Sequence, residues 1–392
     1  MFGQPRVRAF VQACGATHGG GPFLFRSLAS LACVWATCLD PLSCAMGASA
    51  GPRITKIGGG GAVEASFPDE DVPTWLRGDG VVSLAWGCFV SAYLLWPLLA
   101  GGLVWFFWRV TLVKGGTLLG VLLYLPSFFD GSERRLGRPL PALRRSPAWR
   151  SSWRYLKLRL VRETPLPAEG ARYIFGFHPH GILLMSRVCG YGGAWEALFP
   201  GVECRVLAAS PMFKVPLVRD ICLALGAVDA GRKTALRVLE KGLSVHVYPG
   251  GSKEVFMTDP ADHDRVFLSG RKGFVNLALT TGSSLVPVYV FSEKHLYHRK
   301  LPSERLRLFL LRLLKFPVLL FYGRFYTLLP LKARPEGLLV AVGKPIPVER
   351  VAEPTPAQVE ALHARYTKEL KALFERWRGP AGYDASEQLI ID

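Results

Sequence analysis

The sequence predicts an α/β domain with a mostly buried sheet, preceded by a membrane-embedded helical hairpin. Three observations carry that expectation. From about Ala171 onward, short apolar runs alternate with helical stretches; 29 residues from Gly80 to Trp108 hold no charge; and a strongly basic block follows soon after. Such alternation marks helices covering a buried sheet, and about 20 apolar residues suffice to cross a bilayer as a helix. Half of the 392 residues are apolar and a fifth are charged, which excludes a disordered chain and demands a large core or a membrane.

Residues 1–79, rich in Gly, Ala, Pro and Ser, read as a flexible extension. The first 39 carry Arg6, Arg8 and Arg26, no acid, and an apolar stretch from Leu28 to Leu39, which fits a targeting peptide and a low-complexity tail equally well. Residues 80–129 form the expected hairpin. Trp86, Trp96, Trp105 and Trp108 suit an interfacial belt, and a buried core helix is the alternative. Gly115 to Phe129 is short for a second crossing, so a re-entrant insertion competes with two full spans.

Residues 130–170 read as a basic membrane-proximal linker. Between Glu133 and Arg162 ten Lys or Arg face one acid, which assigns this side to the cytosol and offers purchase on anionic headgroups. The net charge of +18 asks for an anionic partner. No nucleic-acid reader motif accompanies it, so a lipid surface and a polyanionic substrate are favoured. Eight Cys without a C-x-x-C pair point to buried thiols in a reducing compartment rather than a disulfide scaffold or zinc ribbon.

Within the expected catalytic domain, 171–392, strands are predicted at Arg172–Phe177, Cys204–Ala209, Leu243–Tyr248, Leu285–Phe291 and Leu338–Val342. Helices are predicted at Lys214–Leu225, Lys233–Lys241, Lys272–Thr281 and Pro356–Trp377. Arg305 to Leu329 reads as either an interfacial segment or a sheet-covering helix.

Phe177-His178-Pro179-His180-Gly181 ends the first of these strands, where ligands of α/β sheets bind. An imidazole there can take a hydroxyl proton near neutral pH; a two-His metal site and a plain surface turn are the competing readings. Pro249-Gly250-Gly251-Ser252-Lys253-Glu254 ends another strand. Its glycines can turn backbone N–H groups to a ligand, and Glu254 can orient an imidazole or hold a substrate hydroxyl. Arg232-Lys233 and Arg271-Lys272-Gly273 open helices, where cations and free N–H groups suit phosphate. Gly47-Ala48-Ser49-Ala50-Gly51 matches a hydrolase elbow only formally, lacking a preceding strand, and no dinucleotide fingerprint occurs. What remains suits transfer of an activated acyl group to a lipid hydroxyl.

The ordered motifs resemble the diacylglycerol acyltransferase type 2 family, with its monoacylglycerol and wax-ester relatives. They are Tyr173 to Gly181, Arg219-Asp220 with Gly226, Pro249-Gly250-Gly251 ending at Glu254, and Arg271 to Leu279. Leu285 to Tyr289 with Glu293, and Val342 to Ile346, complete the set. The resemblance implies a glycerolipid-acyltransferase-like sheet and an acyl-CoA-dependent enzyme making triacylglycerol from diacylglycerol. Monoacylglycerol or a fatty alcohol is the alternative acceptor, and a non-catalytic lipid-binding scaffold is the alternative class. His180, His178 and Glu254 are the implied catalytic residues. Gly181, Arg219, Asp220, Gly250, Gly251, Arg271, Lys272, Gly273 and Asn276 are the implied binding residues, with Arg271 and Lys272 toward the CoA phosphates. Acyl-CoA being a substrate, neither cofactor nor metal is called for. The implied setting is the endoplasmic reticulum membrane and the lipid-droplet surface, with the catalytic domain cytosolic, or a plastid or other organelle if the extension targets one. A homo-oligomer stays open. Ser252-Lys253 and Leu331 to Pro335 depart from the family pattern, and no Asp follows His180 at five residues' distance, which leaves Glu254 as its candidate partner.

Overall fold

The computed structural model describes residues 51–57, 61–68, 70, 72, 77–78, short pieces between 101 and 109, 114–168, 170–257, 263–300, 320–326, 329–331 and 334–392. The chain divides into two units. The described part of the first is dominated by helix α1 (Lys114–Phe128), with Pro126 inside its last turn. Leu118, Leu119, Val121, Leu122, Leu123 and Leu125 on it are exposed. No described helix is long and apolar enough to cross a membrane. Most of the charge-free run expected to form the first arm of the hairpin lies outside the described residues, as does most of 305–329.

The second unit is built on a nine-stranded mixed sheet. Its strands are β1 (Arg53–Ile57), β2 (Ala62–Ser66), β3 (Arg159–Arg162), β4 (Tyr173–His178), β5 (Cys204–Ala208), β6 (Ala227–Asp229), β7 (Ser244–Val247), β9 (Ser284–Phe291) and β12 (Leu339–Val342). They lie in the order β1-β2-β3-β12-β9-β4-β7-β5-β6. From β9 through β4, β7 and β5 to β6 all neighbours are parallel. β12 runs antiparallel to β9 but parallel to β3, and β2 antiparallel to β3. Four short strands stand outside the sheet: β8 (Asp264–Val266) with β13 (Leu389–Ile391), and β10 (His298–Lys300) with β11 (Leu320–Tyr322).

Helices cover both faces: α2 (Pro141–Arg144), α3 (Trp149–Tyr155), α4 (Ala194–Leu198), α5 (Val218–Ala224), α6 (Arg232–Glu240), α7 (Ser252–Met257), α8 (Gly273–Thr281) and α9 (Pro356–Trp377). Side chains of a strand alternate between faces, and β4 and β9 divide the core accordingly. Phe175, Phe177, Val286, Val288 and Val290 join Trp153 and Trp195 on one side. Ile174, Leu285, Tyr289 and Phe291 meet Phe274, Tyr366 and Phe374 on the other. Helix α9 begins where the sequence reading put it. Thr355 caps it through a reciprocal bond with Gln358, Pro356 opens it, and Val359, Leu362, Tyr366, Leu370, Leu373 and Trp377 form its buried stripe.

Two expectations about boundaries are corrected. Arg53–Ile57 and Ala62–Ser66, expected in the flexible extension, pair antiparallel and add β1 and β2 to the sheet; Val63 and Ala65 point inward from β2 while its other residues are only partly buried. The stretch expected to be a linker supplies α3 and β3, with Trp153, Tyr155, Leu160 and Val161 in the core. Both segments acquire their structure by pairing with distant strands, so their Gly- and Arg-rich composition concealed it.

Candidate active site

The carboxyl ends of β9, β4 and β7 lie side by side, because these strands are parallel neighbours. Each end carries one part of the site: Ser292-Glu293 after β9, the His178 to Gly181 turn after β4, and Pro249 to Glu254 after β7. The two strand-end turns singled out by sequence are thus brought together, with Glu293 on the opposite flank.

The two imidazoles differ completely. His178 is the last residue of β4, in phase with Ile174, so it points into the face covered by α9 and is fully buried. Its Nε2 lies 3.0 Å from the Tyr366 hydroxyl, which in turn donates to the Gly176 carbonyl at 3.2 Å. Tyr366 therefore accepts from Nε2–H, and burial pushes the His178 imidazole down to about 3. It is a neutral core histidine.

His180 lies beyond the strand and is only partly buried. Its Nδ1 stands 2.9 Å from the Gly181 carbonyl. A carbonyl only accepts, so Nδ1 carries the proton and Nε2 keeps a lone pair. Burial holds the imidazole below its ordinary value, opposed by the Gly181 carbonyl and reinforced by the Arg187 cation. A neutral base with a lone pair outside the strand is the result.

Two buried carboxyls grip the turn that carries it. Glu254 Oε2 accepts the His180 backbone N–H at 2.6 Å, and Oε1 accepts that of Phe267 at 2.8 Å. Burial pushes its carboxyl up to about 7, against the pull of those N–H groups and Arg271. The candidate partnership of Glu254 with the imidazole thus takes a different form: it fixes the backbone of the turn, and the Gly181 carbonyl sets the ring. Glu293 accepts the Ser186 N–H at 3.3 Å and is likewise raised to about 7 by burial. Both carboxyls need a glycine to come so near. A Cβ on Gly250 would lie 1.8 Å from Glu254 Cδ, and one on Gly181, whose φ is +65°, would lie 2.6 Å from Glu293 Cγ.

The remaining candidates divide. Arg271 Nη2 donates to the Gly250 carbonyl at 3.1 Å, and its guanidinium lies over the Phe267 ring at 5.4 Å, so it belongs to the turn after β7. Asn276 on α8 accepts from Arg232 at 3.1 Å, joining the starts of α6 and α8. Lys272, just before Gly273, pairs with Glu360 at the surface. Arg219 and Asp220 are engaged elsewhere. Buried Arg219 bonds Glu133 at 2.8 Å, and Asp220 accepts from Arg138 at 2.9 Å, so this pair anchors the basic segment onto α5. Among the described residues, no three His, Cys, Asp or Glu side chains gather as a metal site would require.

Sequence reasoning assigned no role to Glu293, Tyr366 or Tyr248. The Tyr248 ring stacks on Phe177 and meets His180 edge-on at 5.8 Å. The signal for Glu293 was its place just past an apolar strand. Tyr366, 188 residues from His178 on a regular amphipathic helix, offered none.

An imidazole with a lone pair on Nε2, held between carboxyls at adjacent parallel strand ends and with cations at nearby helix starts, has the parts that group transfer at an α/β strand-end site needs. The family model described as diacylglycerol acyltransferase matches residues 109–392, and the chain belongs to that family of acyltransferases. It is 30% identical over 313 residues to diacylglycerol O-acyltransferase 1 of Schizosaccharomyces pombe, covering 76% of this chain and 84% of that protein. To 2-acylglycerol O-acyltransferase 1 of Bos taurus it is 33% identical, covering 69% and 85% respectively. Diacylglycerol O-acyltransferase 2 of Xenopus tropicalis is 32% identical, with 65% of this chain and 74% of that protein covered.

Proposed function

We propose that the chain makes triacylglycerol by direct acyl transfer from acyl-CoA to the free hydroxyl of diacylglycerol. The observation that carries the mechanism is the Nδ1–H of His180 on the Gly181 carbonyl, which leaves Nε2 as the base. Nε2 takes the hydroxyl proton as the oxygen attacks the thioester carbonyl carbon. The tetrahedral oxyanion is held by backbone N–H groups of Gly250 and Gly251, in a turn kept in place by Arg271. Collapse expels the CoA thiolate, which recovers the proton from His180. Arg271, Lys272 and Arg232, grouped around the starts of α6 and α8, receive the CoA phosphates.

Expression in a host unable to make triacylglycerol, with labelled acyl-CoA, tests the reading. Labelled triacylglycerol is expected from the wild-type chain and not from His180→Ala. Its absence with both, while the protein is present and folded, would refute it. The Bos taurus relative motivates a parallel reaction with 2-monoacylglycerol as acceptor; faster turnover there would reassign the acceptor.

The charge-free run from Gly80 to Trp108, the exposed leucines of α1 and the basic segment after it support a hairpin in the endoplasmic reticulum membrane, with both chain ends cytosolic. Diacylglycerol then arrives laterally from the bilayer or a droplet surface. An N-terminal epitope shielded from protease in intact microsomes, with a C-terminal one digested, would show a single crossing and eliminate the hairpin.

A further inference from the structure

Beside the two carboxyls that grip the His turn lies a third buried acid, which the proposed reaction does not use. Asp264 opens β8 and is buried. Its Oδ2 accepts from the Tyr289 hydroxyl at 2.7 Å, and its Oδ1 lies 2.8 Å from the Nζ of Lys294, which is buried too. Glu387 stands 3.6 Å from the same ammonium. Tyr383 completes the cluster: its hydroxyl accepts the Ser292 N–H at 2.9 Å, and burial, then the Asp264 charge, hold the phenol well above its ordinary value.

We propose that Asp264, Lys294 and Tyr383 are positioning residues that fix the Glu293 and Glu254 carboxyls relative to one another, and through them the turn carrying His180, with His180 taken as the base of the reaction. Ser292 and Lys294 flank Glu293 in the chain, and the cluster holds both, one by its N–H on Tyr383 and the other by its ammonium on Asp264. Ser292 has a φ of +71°, a left-handed conformation that a non-glycine residue keeps only where its surroundings hold it. On the other flank, Asp264 shortly precedes Phe267, whose N–H meets Glu254. That stretch is fixed by the parallel pairing of β8 with β13, which follows Tyr383 and Glu387 in the chain. One buried carboxylate thus stands at the junction of both arms of the clamp. Stability alone does not account for it, because apolar residues of similar volume often serve a core as well as a buried ion pair does. What the pair adds is a fixed direction.

The test measures kcat, KM for acyl-CoA and the melting midpoint of the full chain in detergent with diacylglycerol. Tyr383→Phe keeps the ring that packs on Phe291 and Phe374 and removes only the acceptor of the Ser292 N–H. Its kcat should fall by about 10- to 100-fold, as a displacement of up to about 1 Å implies, with KM for acyl-CoA within about threefold of wild type. Lys294→Met should act in the same direction, and Lys294→Arg should recover part of the loss. Glu163→Gln is the control for stability alone. It disturbs a buried group bonded to Arg376 and Trp377 of α9, and because β3 runs antiparallel to β9 it lies toward the other end of the sheet. It should lower the melt and leave kcat per folded molecule unchanged. A wild-type kcat in Tyr383→Phe, or an equal loss in Glu163→Gln, would overturn the proposal. If Lys294→Met fails to fold, Tyr383→Phe decides alone. His180→Ala is run alongside: turnover retained there sinks the base assignment, whereas an inactive His180→Ala beside a normal Tyr383→Phe sinks the positioning role alone.

Discussion

Replacing Gly250 by alanine tests the grip of Glu254 on the His turn without touching either residue. The new Cβ would lie 1.8 Å from Glu254 Cδ and 2.1 and 2.3 Å from its oxygens, so the carboxyl must leave its position. Above pH 7, where the Glu254 carboxyl is ionised, two backbone N–H groups then lose a charged acceptor, His180 from 2.6 Å and Phe267 from 2.8 Å. Hydrogen bonds to charged groups contribute about 1.5 to 3 kcal/mol each, so the turn is destabilised by about 3 to 6 kcal/mol. Turnover suffers further, because a displacement of about 1 Å in a reacting group costs on the order of 100-fold. The assay is labelled triacylglycerol formation per mole of folded protein, alongside a thermal melt. Gly379→Ala, whose Cβ meets nothing within 4 Å, serves as the control. Turnover within twofold of wild type and an unchanged melt for Gly250→Ala would refute the clamp and return Glu254 to an unexplained buried acid.

His180→Ala should lower turnover by about 10²- to 10⁴-fold while membrane association persists; near-normal rates from purified protein would move the base elsewhere. Tyr366→Phe should destabilise folding by about 1 to 3 kcal/mol, by orphaning His178 Nε2, yet spare the rate of the folded fraction; equilibrium unfolding and active-fraction kinetics separate the two. Glu293 has a folded pKa of about 7 against an ordinary 4.5, so its contribution to stability is full at low pH and is lost as pH rises through 7. Glu293→Gln lacks that loss, and its stability relative to wild type should improve by about 3 kcal/mol between pH 4.5 and 8; parallel pH curves in urea melts would contradict this. Labelled acyl-CoA without acceptor should leave no stoichiometric acyl-enzyme. The nearby Cys189 thiol is pushed far up by burial and by Glu293, and Ser186 is buried against Tyr248. Intact-mass detection of an acylated Ser186 or Cys189 would redirect the mechanism.

Much of the site was legible because its parts are local. His180, Gly181, Gly250 and Glu254 sit within a few residues of strands that announce themselves by continuous apolar composition, and the glycines mark where a bulky neighbour must fit. The difference between His178 and His180 was nearly legible. Strand parity sends His178 inward once β4 is known to run to 178, but the expected strand stopped at Phe177, which left both imidazoles as candidates. Arg219 and Asp220 illustrate the opposite case, since their ion pairs with Glu133 and Arg138 join segments more than 80 residues apart and no local pattern encodes that.

By itself, then, the amino-acid order determined the alternation of strands and helices, the positions of the turns at their ends, and the long capped amphipathic helix from Pro356 to Trp377. These follow from side-chain periodicity and backbone freedom within a dozen residues. Only the tertiary structure decided that β9, β4 and β7 are neighbours, that Glu293 and Glu254 close on the His turn from two sides, and that 53–66 joins the sheet. Strand order is chosen by which apolar faces pack together across the whole domain. The proton on His180 follows from that structure too, through the Gly181 carbonyl 2.9 Å from Nδ1.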